Sequence, residues 1–183
     1  VFSLSGPDRT RYLNAVLTGN VRDLTAGHGT TGLLLNPQGH ILAEFTVLAL
    51  EDRLLILAHA FLREKTFATL DKYIIMDDAS LTDETETSGT LAIEGPAAPA
   101  ILRDLTGLEL ESLAEYTHTP ASMKATDGVI PCRVIRHSLF GFPGAAIISV
   151  RENLLASWSA ANAAVRNHHG APIGYRALNA LRI

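Results

Sequence analysis

The chain has 183 residues, with 15 Lys and Arg against 19 Asp and Glu, a formal net charge of −4 with histidine neutral. That length means one domain or two small ones, and 47% hydrophobic with 19% charged residues is a globular composition that excludes a disordered chain. The acidic balance excludes the basic stripe of a direct nucleic-acid binder, and apolar runs such as 33–35 and 54–58 fall far short of the ~20 residues of a membrane span.

A strand is expected over 1–4, with no basic targeting segment ahead of it. It runs into Gly6-Pro7, where Pro7 suits a first helical turn because its missing N–H would go unpaired there. Leu13, Val16 and Leu17 recur at helical spacing, which predicts a helix over 8–18 with Gly19-Asn20 as its left-handed stop. Two strands, 31–35 and 41–50, face each other across Asn36-Pro37-Gln38-Gly39. In the second, Ile41, Ala43, Phe45, Val47 and Ala49 share one face and Leu42, Glu44, Thr46 and Leu48 the other, so Glu44 is the lone charge in the run. A strand over 53–59 precedes an amphipathic helix marked by Phe67, Leu70 and Ile74 and ending near Tyr73. The acidic stretch 77–86 reads as a solvated edge and loop.

Residues 90–94 read as a strand, after which Gly95-Pro96 opens a helix that Gly107 closes. The stretch 108–128 mixes Thr, Ser, Glu and Ala without a clear period and reads as irregular or weakly stranded. Strands over 129–137 and 145–150 join through Phe140-Gly141-Phe142-Pro143-Gly144, with Pro131 confined to an edge or a strand start. A longer helix carries Leu154, Trp158, Ala161 and Val165 on one stripe and stops at Gly170-Ala171-Pro172, leaving 175–183 as a last helix or strand. Tight turns between neighbouring strands, with helices placed irregularly, predict an α+β fold with antiparallel sheets. The span 53–150 reads as β-α-β-α-β-β, a ferredoxin-like unit. The expected domains are a discontinuous one of residues 1–50 plus 129–183 and an inserted ferredoxin-like one of residues 51–128.

Gly27-His28-Gly29-Thr30-Thr31-Gly32 matches Gly-x-Gly-x-x-Gly, but it precedes a strand, whereas a phosphate cradle leads into a helix N-terminus; it reads as a turn. The seven histidines show neither i,i+4 helical spacing nor paired cysteines, so no metal is expected. His168 and His169 diverge by ~100° on a helix end and read as a cap or surface pair. The single cysteine, Cys132, excludes an intrachain disulfide and fits a reducing cytoplasm. It lies ~16 Å along a strand from His137, beyond the reach of a nucleophile and its base, and reads as a buried, inert thiol. No Gly-x-Ser-x-Gly elbow occurs. Glu44 is the informative carboxylate: it either meets solvent or lines an apolar cleft where donors on a heterocyclic ligand satisfy it.

Several stretches together resemble the folate-binding family of the glycine-cleavage T-protein (aminomethyltransferase) and the YgfZ-type proteins. They are Ser5-Gly6-Pro7-Asp8, Tyr12-Leu13 and Leu17-Thr18-Gly19-Asn20-Val21, followed by the hairpin from Leu34 through Asn36-Pro37-Gln38-Gly39-His40-Ile41-Leu42-Ala43-Glu44. Leu91-Ala92-Ile93-Glu94-Gly95-Pro96-Ala97 resembles the family's Leu-x-Gln-Gly-Pro-x-Ala joint, and Cys132-Arg133-Val134 with the 141–144 turn resembles its later hairpin. Ala177-Leu178-Asn179-Ala180-Leu181-Arg182 resembles the start of Leu-Arg-x-Glu-Ala-Gly. T-proteins carry two adjacent aspartates where this chain has Ala43-Glu44, and two hairpin acids where it has Gly141-Phe142-Pro143-Gly144-Ala145-Ala146. These departures favour the YgfZ-type reading, although that type's Lys-Gly-Cys-Tyr-x-Gly-Gln-Glu signature is absent and Cys132 is not its cysteine.

The resemblance implies a folate-binding region, with 1–50 plus 129–183 as the folate domain, that supports iron–sulfur protein maturation or tRNA modification with iron–sulfur client proteins as partners. It implies tetrahydrofolate as the ligand, with Glu44 toward the pterin and Arg133, Arg136 and Arg182 toward its anionic glutamate tail, each of the three otherwise a surface charge. The alternatives are an aminomethyltransferase that moves a one-carbon unit to tetrahydrofolate with Glu44 as its catalytic acid or base, and an interaction module without a ligand.

Overall fold

Five strands, β1 (Phe2–Ser5), β2 (Gly29–Leu35), β3 (Ile41–Ala49), β4 (Arg53–Leu57) and β5 (Ser80–Asp83), pair antiparallel in the order β2-β3-β4-β1-β5. Alternation sends Phe2, Leu4, Ala43, Phe45, Val47, Ala49, Leu54 and Ile56 into one apolar cluster. Helix α1 (Arg9–Val16) adds Tyr12 and Leu13 to it, and α2 (Arg63–Tyr73) adds Leu70. The Tyr12 hydroxyl donates to the Leu70 carbonyl at 2.5 Å, which links the two helices. Burial, then the nearby carboxylates of Asp77 and Asp71, pushes that phenol above its ordinary value and keeps it a donor. The structure is a computed structural model that describes residues 1–126, 128–139 and 141–180. It divides into two compact units, Val1–Glu86 and Thr87–Ile183, whereas the sequence reading draws its boundaries at 50/51 and 128/129.

The chain leaves α1 by a route that differs from the expected one. The helix ends at Val16, Leu17 is already extended (φ −103°, ψ 155°), and Leu17 bridges to Leu34. The Thr18 N–H donates to the Leu33 carbonyl at 3.1 Å, and the Leu33 N–H donates to Thr18 Oγ1 at 2.9 Å. Gly19 has no positive φ, so it is not a left-handed stop. A Cβ there would lie 2.2 Å from the Thr31 carbonyl oxygen, and close approach is therefore the reason for glycine. Gly27 lies in a turn that feeds β2, whose strand already includes Gly29 and Gly32, so the 27–32 segment leads into a strand rather than a helix N-terminus. Part of the acidic stretch is β5, an edge strand beside β1 that Asp83 fastens through Arg63 Nε at 2.6 Å. Its Ser, Thr and Asp residues carry too little apolar signal for a strand to be recognised from sequence.

In the second unit β6 (Ser88–Glu94), β7 (His118–Ala125), β8 (Gly128–Arg136) and β9 (Gly144–Val150) form an antiparallel sheet in the order β6-β9-β8-β7. Strands of the expected 53–150 unit therefore fall in both sheets. Ala98, Ile101, Leu102 and Leu105 recur at i, i+3, i+4 and i+7 on α3 (Ala98–Thr106) and are buried, and Gly107 ends that helix with φ 75°. Strand β7 occupies part of the stretch read as irregular or weakly stranded: its inward side carries only the small or flexible Ala121, Met123 and Ala125, which leaves the pattern faint. Pro131 sits in the half of β8 that pairs with β7 alone, since β9 joins at Arg133. On α4 (Leu154–Asn167) the buried positions are Ser157 and Ala161, while Trp158, placed by the sequence on the inward stripe, is 44% exposed. Ser157 turns inward because its hydroxyl meets that of Ser149, 3.2 Å away, which satisfies both buried groups. A short α5 (Tyr175–Ala180) follows. Among the described residues no helix is long and apolar enough to cross a membrane.

The residue that caps the C-terminus of α4 is fastened to α3. His168, whose backbone N–H caps the helix, places Nε2 2.7 Å from Asp104 Oδ2. That contact holds the Asp104 carboxyl below its usual range. A carboxyl depressed in the folded state adds stability above its unfolded pKa and loses it as pH falls through the folded value. Asp104→Asn is therefore expected to lower the urea midpoint at neutral pH, with its deficit against the parent shrinking below about pH 4; urea titrations at pH 7 and pH 3 measure this. Gly19→Ala is expected to cost about 1–3 kcal/mol by pushing 18–20 off β2, read as a lower midpoint at unchanged slope.

Candidate functional site

The candidate residues lie in both units, and each unit presents its own. In the first, β3 projects Glu44 outward. Its neighbours in sequence, Ala43 and Phe45, are buried in the core, while Glu44 is exposed on the other face with half-buried Leu42 and buried Thr46 on either side. Leu33 of β2 lies directly opposite it. The carboxylate therefore meets solvent, the first of the two environments open to it, and it stands ready to accept donors from a solute.

In the second unit, Arg133 and Arg136 both lie on β8 but on opposite faces. Arg133 pairs with Ile148 and Arg136 with Ala145, and Ala145 belongs to the core side. Arg133 Nη1 lies 2.8 Å from Nδ1 of His118, a residue that is 3% exposed. A guanidinium only donates, so Nδ1 accepts and the ring proton sits on Nε2. This bond fixes the plane of the guanidinium. Arg136 Nη1 donates to the Leu113 carbonyl, and the backbone of Arg136 bonds Tyr116 and Thr117. Through these bonds Arg136 pins the 113–117 segment, in which Tyr116 takes a φ of 59°. Arg182 lies outside the described residues.

Glu94, quoted above only as part of a motif, proves to be the most unusual acid of this unit. It closes β6 opposite Gly144, the first residue of β9. A Cβ on Gly144 would fall 2.6 Å from Glu94 Oε1 and 2.7 Å from Oε2, so the carboxylate rests where a side chain would otherwise stand. Oε1 accepts the Leu139 N–H at 2.7 Å. Oε2 is buried without a hydrogen-bond partner among the described residues. Burial, partly opposed by the Leu139 N–H, raises the carboxyl above its ordinary pKa. The signal in the sequence was an acid where the resembled motif has Gln. Cys132 is half-buried, and its thiol is pushed up by burial, which matches an unreactive role. Among the described residues no group of three His, Cys, Asp or Glu could hold a metal ion.

Comparison with known proteins places these features. The model of the GCVT N-terminal domain matches residues 1–183. The aminomethyltransferase of Streptomyces coelicolor is 25% identical over 182 residues, 99% of this chain and 48% of that protein. The aminomethyltransferase of Chlorobium chlorochromatii is 27% identical over 185 residues, all of this chain and 50% of that protein. The crystal structure of the glycine cleavage system aminomethyltransferase T from Bartonella henselae superposes with a TM-score of 0.72 at 23% identity, covering 87% of this chain and 42% of that one. The α+β architecture with antiparallel sheets is thus shared with solved structures. The chain spans about half the length of the curated relatives it matches. By the match over its whole length, this chain belongs to the GCVT N-terminal domain family.

Proposed function

We propose that this chain is the tetrahydrofolate-binding region of an aminomethyltransferase, acting in a reducing, cytoplasmic setting. The observation that carries the reading is the family match across 1–183, supported by curated relatives named aminomethyltransferase. Those names favour the transferase over the YgfZ-type alternative with its iron–sulfur clients and tRNA link. Within the first unit, Glu44 is an exposed acceptor on β3 of the kind a donor-rich ring takes, and within the second, Arg133 is a cation held by His118, of the kind an anionic tail takes. Tetrahydrofolate supplies the amine that takes the one-carbon unit. Glu44 then accepts a proton from a ring nitrogen or orients it, a role that needs a negative oxygen and that an amide cannot fill.

Glu44→Gln, which keeps shape and removes charge, is expected to lower transfer from an aminomethylated carrier protein by about 10²–10⁴-fold. Its unfolding midpoint should stay within about 0.5 kcal/mol of the parent, because the side chain is exposed. The assay is run on the complete protein that contains this chain; undiminished transfer in the variant removes Glu44 from the chemistry.

A further inference from the structure

In the first unit a cleft of about 370 Å³ opens at the C-terminal end of α1, lined by Asn14 and by residues of the 17–23 segment. Its walls are tied down on both sides. On one side the Thr18 N–H donates to the Leu33 carbonyl, the Thr18 hydroxyl oxygen accepts the Leu33 N–H, and Gly19 lies hard against the Thr31 carbonyl. On the other side Asn14 Oδ1 accepts the backbone N–H groups of Val21 and Arg22, both at 3.0 Å. Asn20 Nδ2 closes that side by donating to Asp23 Oδ2 at 2.7 Å. A cleft built in this way loses little freedom when a solute enters it.

The same bonds decide which polar groups remain for a ligand. Because its oxygen faces two N–H donors, the Asn14 amide is oriented with Nδ2 as a donor that has no partner among the described residues. The Arg22 guanidinium lines the cleft and makes no hydrogen bond or ion pair among the described residues. Asp23 has given Oδ2 to Asn20 and keeps Oδ1 as an acceptor. Helix α1 carries no basic residue in its last turn, so nothing within the helix offsets the negative end of its dipole. A simple anion in this cleft would meet the Asp23 carboxylate, and a metal ion or simple amine would meet the Arg22 guanidinium. A molecule that carries both signs close together is opposed by neither.

We propose that this cleft binds a free α-amino acid, with its carboxylate on Arg22 and Asn14 Nδ2 and its ammonium on Asp23 beside the end of α1. The guanidinium fork matches a carboxylate in two parallel bonds, and the ammonium takes the remaining Asp23 oxygen. Small-molecule sites run to roughly 300–1,000 Å³, so this cleft lies at their small end, which suits one amino acid rather than a nucleotide or a length of peptide. Thr18 and Asn20 make the rest of the lining polar, in keeping with a short polar side chain on the ligand. The cleft lies wholly within the first unit and uses none of Glu44, Arg133 or Glu94, so the inference stands apart from the folate reading.

The test follows amide signals in nitrogen–proton correlation spectra of the complete protein that contains this chain as glycine or L-serine is added. Two analogues each lack one pole: N-acetyl-L-serine has no ammonium and L-serinamide no carboxylate. The Val21 and Arg22 backbone amides and the Asn14 and Asn20 side-chain amides are expected to shift and saturate with both amino acids. Each analogue should bind about tenfold more weakly than L-serine, the worth of one charge-assisted hydrogen bond. Arg22→Gln is expected to bring L-serine level with L-serinamide. Asp23→Asn, whose amide oxygen keeps the bond from Asn20, should bring it level with N-acetyl-L-serine. Both side chains are exposed, so the variants should unfold at the parent's urea midpoint. The proposal is overturned by the absence of a saturable shift at these four residues with either amino acid, by analogues that bind as tightly as L-serine, or by an affinity unchanged in both variants. Tetrahydrofolate added to the same samples reports on the folate reading separately.

Discussion

The strict two-residue alternation of strands, with one face of each sheet committed to its helices, is the constraint from which the rest follows. In β3 the helices of the first unit claim Ala43, Phe45, Val47 and Ala49, so Glu44 must face away from them. Slipping the strand by one residue would carry the carboxylate into an apolar cluster and expose Ala43 and Phe45, a double penalty that fixes the register. The same logic in the second unit assigns Val134, Ala145 and Ile147 to the core and leaves Arg133 and Glu94 on the opposite side. Function-bearing charges are where they are because apolar neighbours have taken the other side.

Charged groups divide by what already holds them. Arg136 is consumed by the Leu113 carbonyl and by the turn it stabilises, and Arg63 by Asp83 and Glu86. Arg133 is oriented by a histidine that lends no charge to it, so the guanidinium keeps its positive field while losing rotational freedom. Such restraint lowers the entropy lost on meeting an anion. Glu44 and Glu94 contrast in the same way: one is an exposed acceptor on a stiff strand, the other an acceptor locked into a glycine seat.

Where side-chain periodicity was strong, the sequence was readable. The β3 alternation, the inward stripe of α3 and its glycine stop were all legible because each is a local pattern with a local cause. Elements that failed to announce themselves lacked that contrast. Strand β5 is a polar edge held by an ion pair, and β7 draws its order from pairing with β8 rather than from an apolar alternation of its own. Trp158 misled because it shares helical spacing with Leu154, Ala161 and Val165, whereas the inward place beside it is taken by Ser157, whose hydroxyl meets that of Ser149. At the candidate site, the face of Glu44 was legible from alternation. Glu94 was not singled out, since its seat depends on Gly144, fifty residues away in the chain. Gly19 shows the same limit: its composition signal was right and its physical reason was a carbonyl of a different strand.

The placement of β1 between β4 and β5 bears on how the first unit assembles. Strand β1 has its neighbours at 53–57 and 80–83, so it remains unpaired while the hairpin of β2 and β3, closed by a short turn, can already form. Phe2 and Leu4 thus stay without a sheet until the 53–57 segment is available to them, and order in this unit spreads from the β2–β3 hairpin outward, with β5 closing the edge after β1 has docked on β4.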